Sequence, residues 1–246
     1  MPTFWTITMH AAVAIVTYRR PPENTLSFLA LGELDEKLVA LEFDTKVSVV
    51  VLTGGIPGFF VAHADLEDVG RMARREPPQG DPQIYQRVLG RLEAMPQPVV
   101  AAINGQAWGG GCELALACSL RVVAQAGHFC QLEVSKGAIP GAGGTQRLPR
   151  LIGLSRALAM ILSARVVRAA EAYELGLADA VLPDDDFVSH VLAWVGPIAS
   201  QPRHALIAAK AAVMQGLHLS FQQALDNEQA LFLRAVTAEE FIEERR

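Results

Sequence analysis

Cysteine is scarce: Cys112, Cys118 and Cys130 are the only three in 246 residues, and no two form a C-x-x-C pair. That excludes a disulfide framework and reads as free thiols in a reducing compartment. Long apolar runs are missing too. No stretch reaches the roughly 18 residues of a membrane span, and the opening MPTFWTITMH lacks the basic-then-apolar layout of a signal peptide. A cytoplasmic protein is expected, with no membrane partner. Positive charge is not in excess either: Lys+Arg 21 against Asp+Glu 26 gives a formal net charge of −5. This argues against a nucleic-acid coat protein while leaving room for a small anionic ligand. His10, His128, His190, His204 and His218 show no metal-ligand spacing with Cys or carboxylates, so no metal is expected.

What is present is the composition of a folded α/β protein, 51% hydrophobic and 19% charged. Short β-rich runs lie around Ile7 and over 13–18. Ser27 is a plausible N-cap for a helix whose Leu31, Leu34, Leu38 and Leu41 share one face. VSVVVLT (47–53) and Val99 to Ile103 are continuous apolar runs of strands buried on both faces. A loop from Ile56 to Asp65 and a charged helix follow the first of these, and PPQGDP (77–82) is a surface loop. Leu120 to Ala124 predicts another strand. Such alternation of strands with amphipathic helices implies an α/β core. From Asp184 onward everything reads as helices, broken near Gly196-Pro197, Pro202 and Gly216. A boundary is placed there, with a core over 1–184 and a helical region over 185–246.

Three segments have the composition of a site. In INGQAWGGGCELALAC (103–118) a buried strand runs into three glycines and then a helix. Glycines let a backbone N–H approach a ligand closely, and the helix start adds free N–H groups and positive partial charge. Glu113 lies in that first helical turn, where the dipole should favour its ionised form. The bland alternative is tight strand–helix packing with Glu113 complementing the dipole. FFVAHADL (59–66) offers further N–H groups after a strand, or simply a connection with Asp65 capping the next helix. In QLEVSKGAIPGAGGTQR (131–147), Glu133 follows Glu113 by 20 residues, enough for the chain to run out and return to the same end of a sheet. GAGGTQ is neither a P-loop nor a dinucleotide fingerprint.

NGQAWGGGCELALAC, the glutamate of QLE and IPGAGGTQRLPRLIG, together with the opening VAIVTYRRPPENTLS, resemble the enoyl-CoA hydratase (crotonase) family in order and spacing over most of residues 11–183. The resemblance implies a crotonase-like spiral of ββα units with C-terminal helices that assemble a homotrimer or a dimer of trimers. It implies an acyl-CoA substrate, whose coenzyme A is part of the substrate, and no separate cofactor. Glu113 and Glu133 match the catalytic pair, and the amides of Ala64 and Gly110 match the oxyanion hole. Ala62, His63, Asp65 and Leu66 fall in the loop that resembles the coenzyme A site. Trp108, Gly109, Leu132 and Gly141 match positions near the acyl group and the water. With both glutamates present, the resemblance favours a lyase that adds water across the 2,3 double bond of a 2-enoyl-CoA, with isomerisation, decarboxylation, thioester hydrolysis or non-catalytic acyl-CoA binding as alternatives. His63 stands where the family has glycine, Leu132 replaces a common proline, and Ser119 replaces an aspartate with only a structural effect expected. If position 63 required φ > 0, histidine would tolerate it less well than glycine. The stretch from Thr237 to Arg246 is shorter than the family norm.

Overall fold

The β-branched runs form strands, and each strand pair is followed by a helix. In a computed structural model that describes residues 3–238 and 241, the order is as follows. The chain begins β1 (Trp5–His10), β2 (Val13–Tyr18) and α1 (Phe28–Phe43), then β3 (Val49–Gly54), β4 (Gly58–Val61), α2 (Leu66–Ala73) and α3 (Ile84–Ala94). It continues with β5 (Val99–Ile103), β6 (Gly105–Trp108) and α4 (Gly110–Ala117), then β7 (Leu120–Ala124), β8 (His128–Cys130) and a 3-10 turn (Glu133–Lys136). Next come α5 (Gly144–Ile152), α6 (Leu154–Ser163), β9 (Val167–Arg168), α7 (Ala169–Glu174) and β10 (Ala180–Leu182). Three helices finish it: α8 (Phe187–Ala199), α9 (Arg203–Gly216) and α10 (Phe221–Val236).

Successive units divide their strands between two sheets. In the pairs β3–β4, β5–β6 and β7–β8 the first strand goes to a six-stranded sheet, β1-β2-β3-β5-β7-β10, and the second to a four-stranded sheet, β4-β6-β8-β9. Strands β1 and β2 both lie in the large sheet, and β9 joins the small one before β10 returns to the large. The hairpin β1–β2 is antiparallel and the remaining pairs of the large sheet are parallel. The chain therefore climbs as a spiral, and the ends of β4, β6 and β8 lie side by side through parallel pairing. That neighbourhood brings residues 62–66, 109–113 and 131–133 to one place.

Packing follows the apolar pattern. Ser27 caps α1, its Oγ accepting from the Ala30 amide at 3.2 Å, and Leu31, Leu34, Leu38 and Leu41 are all buried. The other face of the large sheet is covered by Phe187, Val191 and Val195 of α8, packed on residues such as Val13, Val49 and Val100. Of the C-terminal helices, α9 is tied to the core by Arg203 Nε donating to Val47 O at 2.9 Å, and by Lys210 Nζ donating to Met95 O at 2.6 Å and Gln97 O at 3.1 Å. Helix α10 packs against α9 and has no buried residue.

Four readings change. The expected loop from Ile56 to Asp65 contains β4, and two short strands, β6 and β8, had gone unread. Strands of three or four residues beside glycines carry too few alternations to register as a period. Gly196-Pro197 does not break α8, which runs on through Pro197 to Ala199. His63 is not among the residues with positive φ, so the concern over a non-glycine residue there does not arise. Ser119 has a structural role, its Oγ accepting from the Val99 amide at 3.2 Å. Of the stretch from Thr237 to Arg246, only Thr237, Ala238 and Phe241 lie within the described residues.

Candidate active site

Glu113 projects from the first turn of α4 and is almost fully buried at 3% exposure. Its Oε1 accepts two backbone amides from the turn that leads into α5, Ala142 N at 2.7 Å and Gly144 N at 2.8 Å. The Pro-Gly-Ala-Gly-Gly turn thus closes on the carboxylate as a pair of donors. Arg147 holds the turn from behind: Nη1 donates to Ala142 O at 2.7 Å, and the guanidinium bonds the Glu93 carboxylate at 2.7 and 2.9 Å. Burial nevertheless pushes the Glu113 carboxyl above its ordinary range, and the two amides and the Arg147 charge oppose that shift without cancelling it. The expectation that a helix terminus would favour the ionised form is therefore outweighed by desolvation.

Glu133 opens the 3-10 turn after β8 and is part-buried. Burial pushes its carboxyl up to about 7, its own amide opposes this, and the Glu113 charge adds to the rise. The two carboxyls therefore feel one another. Gly109 is what lets Glu133 in. A Cβ there would lie 3.0 Å from both Glu133 Oε1 and Leu132 Cδ2, and φ +48 is a backbone region that side chains avoid. Gln131, fully buried, completes this side. With its amide nitrogen turned to Glu133, the orientation its neighbours favour, it donates to Oε2 at 3.2 Å and Oε1 at 3.3 Å.

The third part of the site is built by pairing across the chain. Ala62 N donates to Asn24 O, Leu26 N to His63 O and Asp65 N to Leu26 O, a short parallel ladder in which Leu26 bridges Ala64. In such a ladder the residue opposite the bridging one turns its own N–H and C=O away from the partner strand. Ala64 therefore presents its amide outward. Its carbonyl accepts from His63 Nδ1 at 2.7 Å, so the proton of that ring sits on Nδ1. The Ala64 Cβ lies 3.3 Å from where a Cβ on Gly110 would sit, and Gly111 packs against the Val61 carbonyl, which a side chain would strike. Among the described residues, neither the Ala64 nor the Gly110 amide has a protein acceptor.

Glu113, Glu133, Leu132, Gly109, Gly110 and Ala64 are thus brought together. Trp108 is beside them on β6, its indole donating to His128 Nδ1 at 2.9 Å, which puts that imidazole's proton on Nε2. Asp65 caps α2, accepting from Glu67 N and Asp68 N, and pairs with Arg20 at 2.5 Å. Ala62 is buried and its carbonyl accepts from Gln106 Nε2 at 3.3 Å. Leu66 is 69% exposed at the start of α2, and Gly141 is exposed with its carbonyl bonded by Gln86 Nε2 at 2.9 Å. Sequence reasoning missed Gln131, Tyr85 and Asn24. The available signals were a polar residue directly after a strand and a hydroxyl on α3. Among the described residues no group of His, Cys, Asp and Glu is arranged to hold a metal.

Comparison with known proteins agrees with this architecture. The profile of the enoyl-CoA hydratase/isomerase family matches residues 8–245. A crotonyl-CoA hydratase of Syntrophomonas wolfei is 35% identical over 221 residues, which is 89% of this chain and 85% of the relative. A 2,3-dehydroadipyl-CoA hydratase of Escherichia coli is 37% identical over 229 residues, 93% of this chain and 88% of the relative. The crystal structure of an enoyl-CoA hydratase from Bacillus anthracis superposes with a TM-score of 0.90 at 31% identity, covering 99% of this chain and 97% of that one. A profile running through both glutamates and both amide-bearing segments leaves one assignment: the chain belongs to the enoyl-CoA hydratase/isomerase family.

Proposed function

We propose that the protein is a hydro-lyase, an enoyl-CoA hydratase that adds water across the 2,3 double bond of a 2-enoyl-CoA thioester. The observation that carries this reading is a pair of glutamates, one raised by the charge of the other, beside two backbone amides that have no protein acceptor among the described residues. The amides of Ala64 and Gly110 receive the thioester oxygen and stabilise the enolate it becomes; such a donor is worth about 3–4 kcal/mol in the transition state. One water sits between the carboxylates. Glu113, on which two amides and the Arg147 charge limit the rise that burial causes, takes a proton from that water as its oxygen bonds to the β carbon. Glu133, whose proton is retained to about pH 7, delivers it to the α carbon. The different surroundings of the two carboxyls support this division of roles.

Around this centre, His63 and the exposed Leu66 face the coenzyme A portion, and Trp108, Leu132 and Gly141 border the acyl group. Asp65 acts through its ion pair and cap, and Ala62 by shaping the loop. Coenzyme A is part of the substrate, and no separate cofactor is invoked. A homotrimer or dimer of trimers is the proposed assembly, supported by exposed apolar side chains on the C-terminal helices, Val213 at 66% and Phe232 at 60%. A cytoplasmic location is supported by three buried free thiols, and no described helix is long and apolar enough to cross a membrane.

The test is loss of the conjugated enoyl absorbance of crotonyl-CoA, followed with Glu113→Gln and Glu133→Gln beside the parent. Each variant is expected to lose about 100-fold or more. Unchanged turnover in either variant rejects the two-glutamate mechanism. Tight binding without turnover on any enoyl-CoA favours a non-catalytic binder.

A further inference from the structure

We propose that Tyr85 is a positioning residue for the amide pair, its hydroxyl fixing the Leu26 carbonyl and with it the segment that presents Ala64 to Gly110. This rests on the reading of those amides as the thioester-oxygen site. Tyr85 lies on α3, far in sequence from each glycine-rich segment, yet its Oη donates to Leu26 O at 3.1 Å. The same carbonyl accepts from Asp65 N at 2.8 Å, and Leu26 N donates to His63 O at 2.8 Å. Leu26 is thus gripped on both sides, and Ala64, between His63 and Asp65, has its orientation set by those two bonds.

The hydroxyl also lies next to the other half of the pair. A Cβ on Gly110 would lie 3.0 Å from Tyr85 Oη and 3.3 Å from Ala64 Cβ, so one phenol spans both amide-bearing segments. A phenol has a single proton to give, and here Leu26 O takes it. Tyr85 is therefore a brace behind the donors and not a third donor to the substrate. Burial and the nearby Glu113 charge keep that proton on the oxygen. Its ring is anchored edge-on to Phe28, with centroids 6.1 Å apart, so the hydroxyl has little freedom to move. A phenylalanine at this position retains the ring contacts and loses only the bond to Leu26.

Tyr85→Phe separates this role from mere support of the fold. Crotonyl-CoA kinetics are expected to show kcat lower by about tenfold with KM within about twofold, a smaller loss than the ~100–1000-fold of deleting a donor outright. The specific readout is the infrared stretch of the thioester carbonyl in bound, non-reacting butyryl-CoA labelled with 13C. The shift to lower frequency on binding should be clearly smaller in Tyr85→Phe. Hydrogen exchange of a peptide spanning 60–67 should be faster in the variant. A variant with the parent's carbonyl shift and kcat overturns the proposal, as does one that only melts earlier. A parent chain that shifts the carbonyl but does not hydrate crotonyl-CoA rejects the hydratase reading and leaves the role of Tyr85 standing. A parent chain that does not shift the carbonyl rejects both.

Discussion

Replacing Glu133 by glutamine should stabilise the protein at alkaline pH while removing its activity. The folded state holds the Glu133 proton to about 7, against the ordinary 4.5, because burial and the Glu113 charge penalise the ionised form. Below pH 4.5 the carboxyl is protonated in both folded and unfolded chains and has no effect on the pH dependence. Between 4.5 and about 7 the unfolded chain ionises freely while the folded one does not, so stability falls as pH rises; above about 7 the loss is complete. At about 1.4 kcal/mol per pH unit the full displacement corresponds to ~3 kcal/mol. Glu133 is only part-buried, and screening by water reduces this to about 1–2 kcal/mol. For a chain of this size that is a rise in Tm of about 2–8 °C. The assay is thermal melting of parent and Glu133→Gln from pH 4.5 to 8. The difference in Tm should grow in favour of the variant across that window and then level off. Parallel curves would show that the carboxyl is not held in its neutral form, and the assignment of Glu133 as proton donor would fail with them.

Two further outcomes follow from the supports of the pair. Arg147→Met removes the grip on Ala142 O and the charge that favours ionised Glu113; kcat should fall about tenfold, and the acidic limb of the pH–kcat/KM profile should move to higher pH. Gly109→Ala forces a side chain into positive φ against Glu133 and Leu132; about 2 kcal/mol of strain should lower Tm by about 4–8 °C. The displaced carboxyl should cost about 10–100-fold in rate, measured by melting and by crotonyl-CoA turnover.

Much of the scaffold was legible because it is local. The leucines of α1, the β-branched runs of β3 and β5 and the Ser27 cap each carry their structure within a few residues. Strands β4, β6 and β8 were not legible in that way, since each is short and held by its neighbours in the small sheet. The candidate glutamates and amides were recognisable from motifs in register. Their supports were not. Gln131 and Tyr85 have meaning only through the groups they meet, Glu133 in one case and Leu26 in the other.

Sequence alone determined the kinds of groups available: two carboxylates, three glycines ahead of a helix, and a proline-glycine turn ahead of another. Only the tertiary structure decided their states. Whether Glu113 is favoured as an ion depends on the Ala142 and Gly144 amides set against burial by the surrounding core, and both arise from distant parts of the chain. Whether Ala64 turns its amide outward depends on Leu26 pairing with it from the start of the chain. Hydrogen-bond direction and desolvation are properties of a surrounding, and the surrounding exists only once the spiral has closed.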